Sequence, residues 1–194
     1  MLRDKLKHYK LILASGSPRR QQFFKDLDLD FEIRLKEVEE VYPTELKREE
    51  ITNYLALLKS DAFKESLQEN EIVITSDTIV WHNNKALGKP KDREDAVAIL
   101  QSLSNATHEV VTSVCFKSKY KTDVLFGVTA VTFHTLSDEA IHYYVDKYQP
   151  FDKAGAYGIQ EWIGFIGVAK IEGSSPNGMG LPVDKVYEYL SNLA

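Results

Sequence analysis

The chain opens with a short apolar run, Tyr9 to Ala14, of a length suited to a buried strand, and the run stops at Ser15-Gly16-Ser17-Pro18-Arg19-Arg20. Ser17 followed by Pro18 reads as the cap and first residue of a helix: the serine hydroxyl accepts from an orphaned first-turn amide, and proline has no amide to leave unpaired there. Phe23, Phe24 and Leu27 supply that helix's apolar face, and Phe31 to Leu35 reads as a second strand. Between Arg48 and Ser66 the positions Ile51, Tyr54, Leu55, Leu58, Ala62 and Phe63 recur at helical spacing and leave Lys59 on a flank. Glu71 to Val80 is rich in β-branched residues and predicts a strand interrupted at Thr75-Ser76-Asp77-Thr78, with Asp77 inside it or at its end. After Trp81, the Asn-Asn pair of His82-Asn83-Asn84-Lys85 suits a tight turn.

Asp92 caps a helix through Leu103, with Ala96, Ile99, Leu100 and Leu103 inward. His108 to Ser118 and Val124 to Thr135, joined by polar residues, predict an antiparallel hairpin. Ser137 caps a helix whose Ile141, Tyr144, Val145 and Tyr148 share a face, with Pro150 beyond its end. Leu181 to Leu193 closes the chain as a helix through Val183, Val186, Tyr187 and Leu190. Crossover-like and hairpin connections together predict an α/β protein with a mixed sheet.

At 194 residues the expectation is one domain spanning 1–194, large enough for a core without metal or disulfide staples. With 43% hydrophobic and 27% charged residues, collagen-like and disordered classes are excluded. The net charge of −5 argues against a broad footprint on nucleic acid, and the short basic run Lys117, Lys119 and Lys121 reads as a solvated turn rather than an RNA site. No apolar run approaches the length of a membrane span, and Leu11 to Ala14 is too short for a secretory signal. Cys115 alone forms no internal disulfide. These readings predict a cytoplasmic enzyme or binding protein with no membrane or nucleic-acid partner.

The familiar phosphate fingerprints, the P-loop and the Rossmann glycine pattern, are absent. His8, His82, His108, His134 and His142 show no ligand spacing, so any metal is a hard cation on carboxylates. The turn at residues 15–20 joins small residues, a helix N-terminus and two guanidinium groups, which favours an anion. Spacing alone reads equally well as an ordinary cap followed by a solvated first turn. Asp77 stands where strands rarely carry aspartate, which points to function over a local structural role. The Lys89-Pro90 pair, Lys59 on its helix and Glu39-Glu40 read, taken singly, as surface features. Asp152-Lys153-Ala154-Gly155-Ala156-Tyr157-Gly158-Ile159-Gln160 suits a ligand-facing loop or a sharp turn alike.

In order along the chain, Leu13-Ala14-Ser15-Gly16-Ser17-Pro18-Arg19-Arg20, Ser76-Asp77-Thr78-Ile79-Val80, Gly88-Lys89-Pro90 and the 152–160 segment make a specific set. With them the sequence closely resembles the Maf-like nucleoside triphosphate pyrophosphatases. The resemblance implies a mixed, strongly twisted central sheet with helices on its faces and two lobes around a cleft, as in inosine triphosphatases, often in a homodimer. It implies hydrolysis between the α- and β-phosphates with Mg²⁺, or Mn²⁺ in its place. It maps Asp77 as proton acceptor, Glu40 as the acidic partner able to share the metal, and Lys89, Lys59, Arg19 and Arg20 as charge-neutralising groups. Ser15 and Ser17 fall in the substrate loop, and Thr78, Arg19 and Gln160 at specificity positions. The Ala-Tyr-Gly-Ile-Gln form resembles the branch acting on dTTP and UTP. Glu161 departs from the glycine often found after the glutamine; its carboxylate would either face phosphate or point outward. A nucleotide-binding regulator of cell division or septum formation is the alternative.

Overall fold

A computed structural model of the chain describes residues 1–193. A first short helix, α1 (Leu2–Lys5), precedes strand β1 (Lys10–Leu13), helix α2 (Pro18–Asp26) and strand β2 (Phe31–Ile33). Ser17 caps α2 through Arg20 N–H at 3.5 Å, with proline at the first turn, as the sequence predicts. Then come α3 (Glu49–Asp61), β3 (Glu71–His82), β4 (Lys85–Leu87), α4 (Arg93–Leu103), β5 (Thr107–Lys117) and β6 (Thr122–Phe133). The chain closes with α5 (Asp138–Tyr148), a single 3-10 turn at Ala154–Ala156, α6 (Trp162–Gly167), β7 (Val168–Glu172), α7 (Ser175–Gly178) and α8 (Val183–Leu193).

The seven strands form one sheet in the order β2-β1-β3-β5-β6-β7, with β4 paired to β3. Strand β1 runs parallel to β2 (Leu11 opposite Phe31) and to β3 (Leu11 opposite Ile72), whereas β3–β4 and β6–β7 are antiparallel. The sheet is therefore mixed, as expected. The β3–β4 turn is made by Asn83 and Asn84, both in the left-handed region at φ 50° and 59°, the geometry that two-residue hairpins demand and asparagine tolerates.

Two sequence expectations need correction. Strand β3 runs through Thr75-Ser76-Asp77-Thr78 without the expected interruption, which puts Asp77 inside it, one of its two expected positions. Its polar side chains find partners inside the fold: Thr75 Oγ1 donates to Ala56 O at 2.6 Å and Ser76 Oγ to Ser113 O at 2.9 Å. The helix expected to reach Ser66 ends at Asp61, and the chain continues in turns such as Phe63 N–H to Ser60 O.

Two compact units share the strands. The first contains residues Met1–Asp77, Thr112–Gly127 and the chain from Gly180 on; the second contains Thr78–Val111 and Val128–Met179. In the first, Leu11, Leu13, Ile72 and Ile74 pack with Phe24, Val114, Phe116, Val186 and Leu190, while Ile12 and Val73, one residue out of phase, pack with Phe63 and Leu67. Apolar residues on both faces are what a parallel strand covered on both sides requires. In the second, α4 and α5 bring Ala96, Leu100, Ile141, Tyr144 and Val145 together with Val131, Phe133, Tyr157 and Ile163.

Candidate active site

Residues two apart on a strand share a face, so Val73, Thr75 and Asp77 line one side of β3. Thr75 ties that side to the α3 carbonyl of Ala56, three residues before Lys59, which is one helical turn. The Lys59 ammonium is thereby held over Asp77: Nζ donates to Asp77 Oδ1 at 2.9 Å and to Ser76 O at 3.2 Å, and pairs with Glu40 Oε1 at 3.2 Å. Asp77 is only 9% exposed in its side chain, whereas Glu40 is 48% exposed. The other Asp77 oxygen, Oδ2, is buried with no hydrogen-bond partner.

Arg20 reaches the same carbonyl from α2, with Nη1 to Ser76 O at 3.4 Å and Nε to Gly180 O at 2.8 Å. Burial pulls its guanidinium down to about 10, against the attraction of Asp77, so it stays charged at neutral pH. Burial also pushes the Asp77 carboxyl above the usual aspartate range; Lys59 and Arg20 oppose that shift and Glu40 adds to it. Ahead of α2, Ser15 Oγ accepts from Ser17 N–H at 3.2 Å and Ser15 O from Gln21 Nε2 at 2.9 Å, which fixes the loop at the helix N-terminus. Arg19, next to Arg20, disfavours the charge on Arg20. Four of the expected site residues, Arg20, Glu40, Lys59 and Asp77, are thus brought together within the first unit, beside the Ser15–Ser17 loop and Arg19 in the first turn of α2.

The remaining expected residues lie in the second unit. Thr78 is the residue after Asp77 on β3 and is partly buried. Lys89 follows β4 and is exposed. Gln160 is a corner residue of a turn closed by Glu161 N–H to Gly158 O at 3.0 Å, and its Oε1 is buried without a partner. Glu161 neither projects outward nor stands unpaired: Oε1 meets the Lys153 ammonium at 3.2 Å and Oε2 accepts from the Tyr144 hydroxyl. Tyr144 is fully buried and in turn accepts from Gly158 N–H at 3.0 Å.

A hard cation that draws most of its ligands from water and phosphate needs only one or two protein carboxylates. Asp77 and Glu40, facing one ammonium with Asp77 Oδ2 unsatisfied, fit that requirement. They do not fit zinc, because among the described residues no group of three His, Cys, Asp or Glu side chains could hold a metal.

Residues 10–193 match the family described as Maf-like protein. The chain belongs to this family. A Flavobacterium johnsoniae protein named dTTP/UTP pyrophosphatase is 68% identical over 193 residues, covering 100% of both chains. One of the same name from Flavobacterium psychrophilum is 64% identical, covering 99% of this chain and 98% of its own. The structure of the Staphylococcus aureus Ham1 protein aligns with TM-score 0.55 at 19% identity over 95% of this chain and 100% of that one, a likeness of fold. Among the described residues of this Maf-like chain, no helix is long and apolar enough to cross a membrane.

Three supports of the Maf-like site escape sequence reasoning. Gly180 holds φ 110°, a region that side-chain-bearing residues rarely adopt, and there its carbonyl receives Arg20. A lone glycine before Leu-Pro gives no sign of that contact. Thr75 carries the tie to α3, and its signal was present in the polar tetrad within an apolar strand. Thr52 of α3 and Ser113 of β5 share a buried hydroxyl contact of 2.7 Å, and Ser113 donates to Asn53 Oδ1 at 2.6 Å. Only the fold brings these last residues, some sixty positions apart, into contact.

Proposed function

We propose that this chain hydrolyses dTTP and UTP to the nucleoside monophosphate and pyrophosphate. The observation that carries the reading is the buried Asp77 carboxylate, held by Lys59 through one oxygen and unsatisfied at the other. A catalytic base needs this combination: burial raises its proton affinity, one hydrogen bond fixes its plane, and one lone pair stays free. The names of the two Flavobacterium relatives support the reaction and the pyrimidine preference.

In this mechanism the triphosphate lies against Arg20, Arg19 and the Ser15–Ser17 loop at the α2 N-terminus, whose amides and guanidinium groups neutralise phosphate charge. Lys59 and Lys89 add positive charge. Glu40 and Asp77 would hold a divalent cation, Mg²⁺ or Mn²⁺, which when bound supplies further charge neutralisation at the phosphates. Asp77 Oδ2 takes the proton of the attacking water; the new P–O bond forms as the α–β bridge breaks, and pyrophosphate leaves. Thr78 and Gln160 read the base: the glutamine amide offers one donor and one acceptor to the edge of a uracil or thymine ring. The thymine methyl is worth only about 1–3 kcal/mol, so acceptance of both bases follows.

The same proposal treats residues 1–194 as one working Maf-like domain in the cytoplasm, where free nucleotides are found. It also takes the chain to be a homodimer, which sedimentation checks as a species of twice the 22.1 kDa chain mass. The deciding experiment measures pyrophosphate and orthophosphate from dTTP, UTP, CTP and 7-methyl-GTP with Mg²⁺. Pyrophosphate from dTTP and UTP alone is expected. Nucleotide binding without pyrophosphate release would overturn the reading in favour of a regulatory protein.

A further inference from the structure

We propose that Glu161 is a positioning residue for base recognition: its carboxylate, held by Tyr144 and Lys153, locks the Gly158–Glu161 turn that presents the Gln160 amide. This rests on the pyrimidine reading above and assigns a role to a carboxylate that the reaction itself does not use.

The turn is fastened at both ends to one hydroxyl. Gly158, its first residue, donates its N–H to Tyr144 Oη at 3.0 Å, and Glu161, its last, accepts from the same hydroxyl through Oε2. Tyr144 comes from the core-facing side of α5 and is fully buried, so the fastening point does not move with solvent. The backbone adds three constraints. Glu161 N–H closes the turn on Gly158 O at 3.0 Å, and Glu161 O starts α6 by accepting from Gly164 N–H at 2.9 Å and Phe165 N–H at 3.3 Å.

The side chains are also stacked over one small residue. A Cβ added to Gly158 would meet Glu161 Cδ at 3.0 Å, Lys153 Cε at 3.1 Å and Gln160 Nε2 at 3.2 Å. The carboxylate, the lysine stem and the glutamine amide therefore converge over that glycine, which leaves no room between them for a side chain at position 158. Lys153 is 10% exposed, and its other carboxylate partner, Asp152, is 64% exposed; without Glu161 its ammonium depends on a solvated group. Gln160 Oε1, buried and unpartnered, is the acceptor that this arrangement holds in place. A hydrogen-bonding amide discriminates between bases only while its plane is fixed, because a rotated amide exchanges donor for acceptor.

The test is steady-state kinetics on dTTP, UTP and CTP for wild type, Glu161→Ala, Glu161→Gln and Tyr144→Phe, with thermal unfolding in parallel. Glu161→Ala is expected to raise KM for dTTP and UTP about tenfold with kcat within about threefold, and to narrow the preference over CTP, the signature of lost ground-state positioning. Glu161→Gln, which retains an acceptor for Tyr144, is expected to recover KM to within about threefold of wild type. Tyr144→Phe shifts KM in the same direction as Glu161→Ala and decides the matter if that variant fails to fold. Lower stability and less active protein with unchanged KM and base ranking would overturn the proposal. A wild type that releases no pyrophosphate from dTTP or UTP would instead overturn the functional reading beneath it.

Discussion

In the first unit the Asp77 carboxylate has one oxygen on Lys59 and the other without a partner, whereas in the second unit Glu161 has both oxygens occupied, by Lys153 and Tyr144. Both carboxylates sit beside a shielded lysine, yet they are treated differently. An unsatisfied buried acceptor costs about 1–3 kcal/mol, so it persists where a proton or ligand has to arrive. Glu161, with both oxygens already engaged by groups of its own chain, is suited to holding a shape. Pairing pattern, more than burial or charge, thus separates the proposed reacting group from the proposed positioning group.

The contrast is most exposed at Asp77. Asp77→Asn keeps the size of the side chain and removes the base; kcat for pyrophosphate release is expected to fall about a thousandfold, within the range general-base removal produces. Next in size is Lys59→Met, which keeps the aliphatic stem and leaves Asp77 and Glu40 facing each other without an ammonium. kcat/KM is expected to fall about a hundredfold, the scale of losing one preorganised electrostatic group. An equal loss on Lys153→Met would break the distinction, since that lysine supports position only.

A third effect belongs to stability in the second unit. His108 is buried against Phe133, with Nε2 2.5 Å from the Tyr157 hydroxyl, and burial pulls its imidazole down to about 3 from the ordinary 6.5. The neutral ring's contribution is whole above pH 6.5 and is lost as the pH falls toward 3, because only the unfolded chain takes the proton across that interval. The expected loss at pH 5 is about 2 kcal/mol, read as a lower urea midpoint that His108→Gln flattens. The smallest effect is expected outside both regions: Lys119→Ala removes an exposed pair with Glu69 on the β5–β6 turn. The urea midpoint and pyrophosphate release should both stay at their wild-type values.

Where local rules govern, the sequence was informative. Ser17-Pro18, Asp92 and Ser137 cap the helices they were read to cap, and the Asn83-Asn84 turn forms where two residues tolerant of positive φ adjoin. Segments that fold by tertiary pairing were missed: β7 is mostly exposed along one edge of the sheet, and α6 is six residues long, too short for a periodic pattern. For the site, Asp77 drew attention as a charge in an apolar strand. Glu40 and Lys59 resembled solvated surface until the fold placed one ammonium between two carboxylates. Glu161 could not be placed from sequence because its partner Tyr144 lies 17 residues earlier, on the buried face of α5.

The account turns on Asp77 acting in the step rather than in holding the nucleotide. The most direct test pairs two readings on Asp77→Asn: pyrophosphate release from dTTP with Mg²⁺, and affinity for a dUTP analogue with a nitrogen bridge between the α- and β-phosphates. Turnover lost with affinity within about tenfold of wild type is the predicted result. Retained turnover, or turnover and affinity lost together, would contradict it.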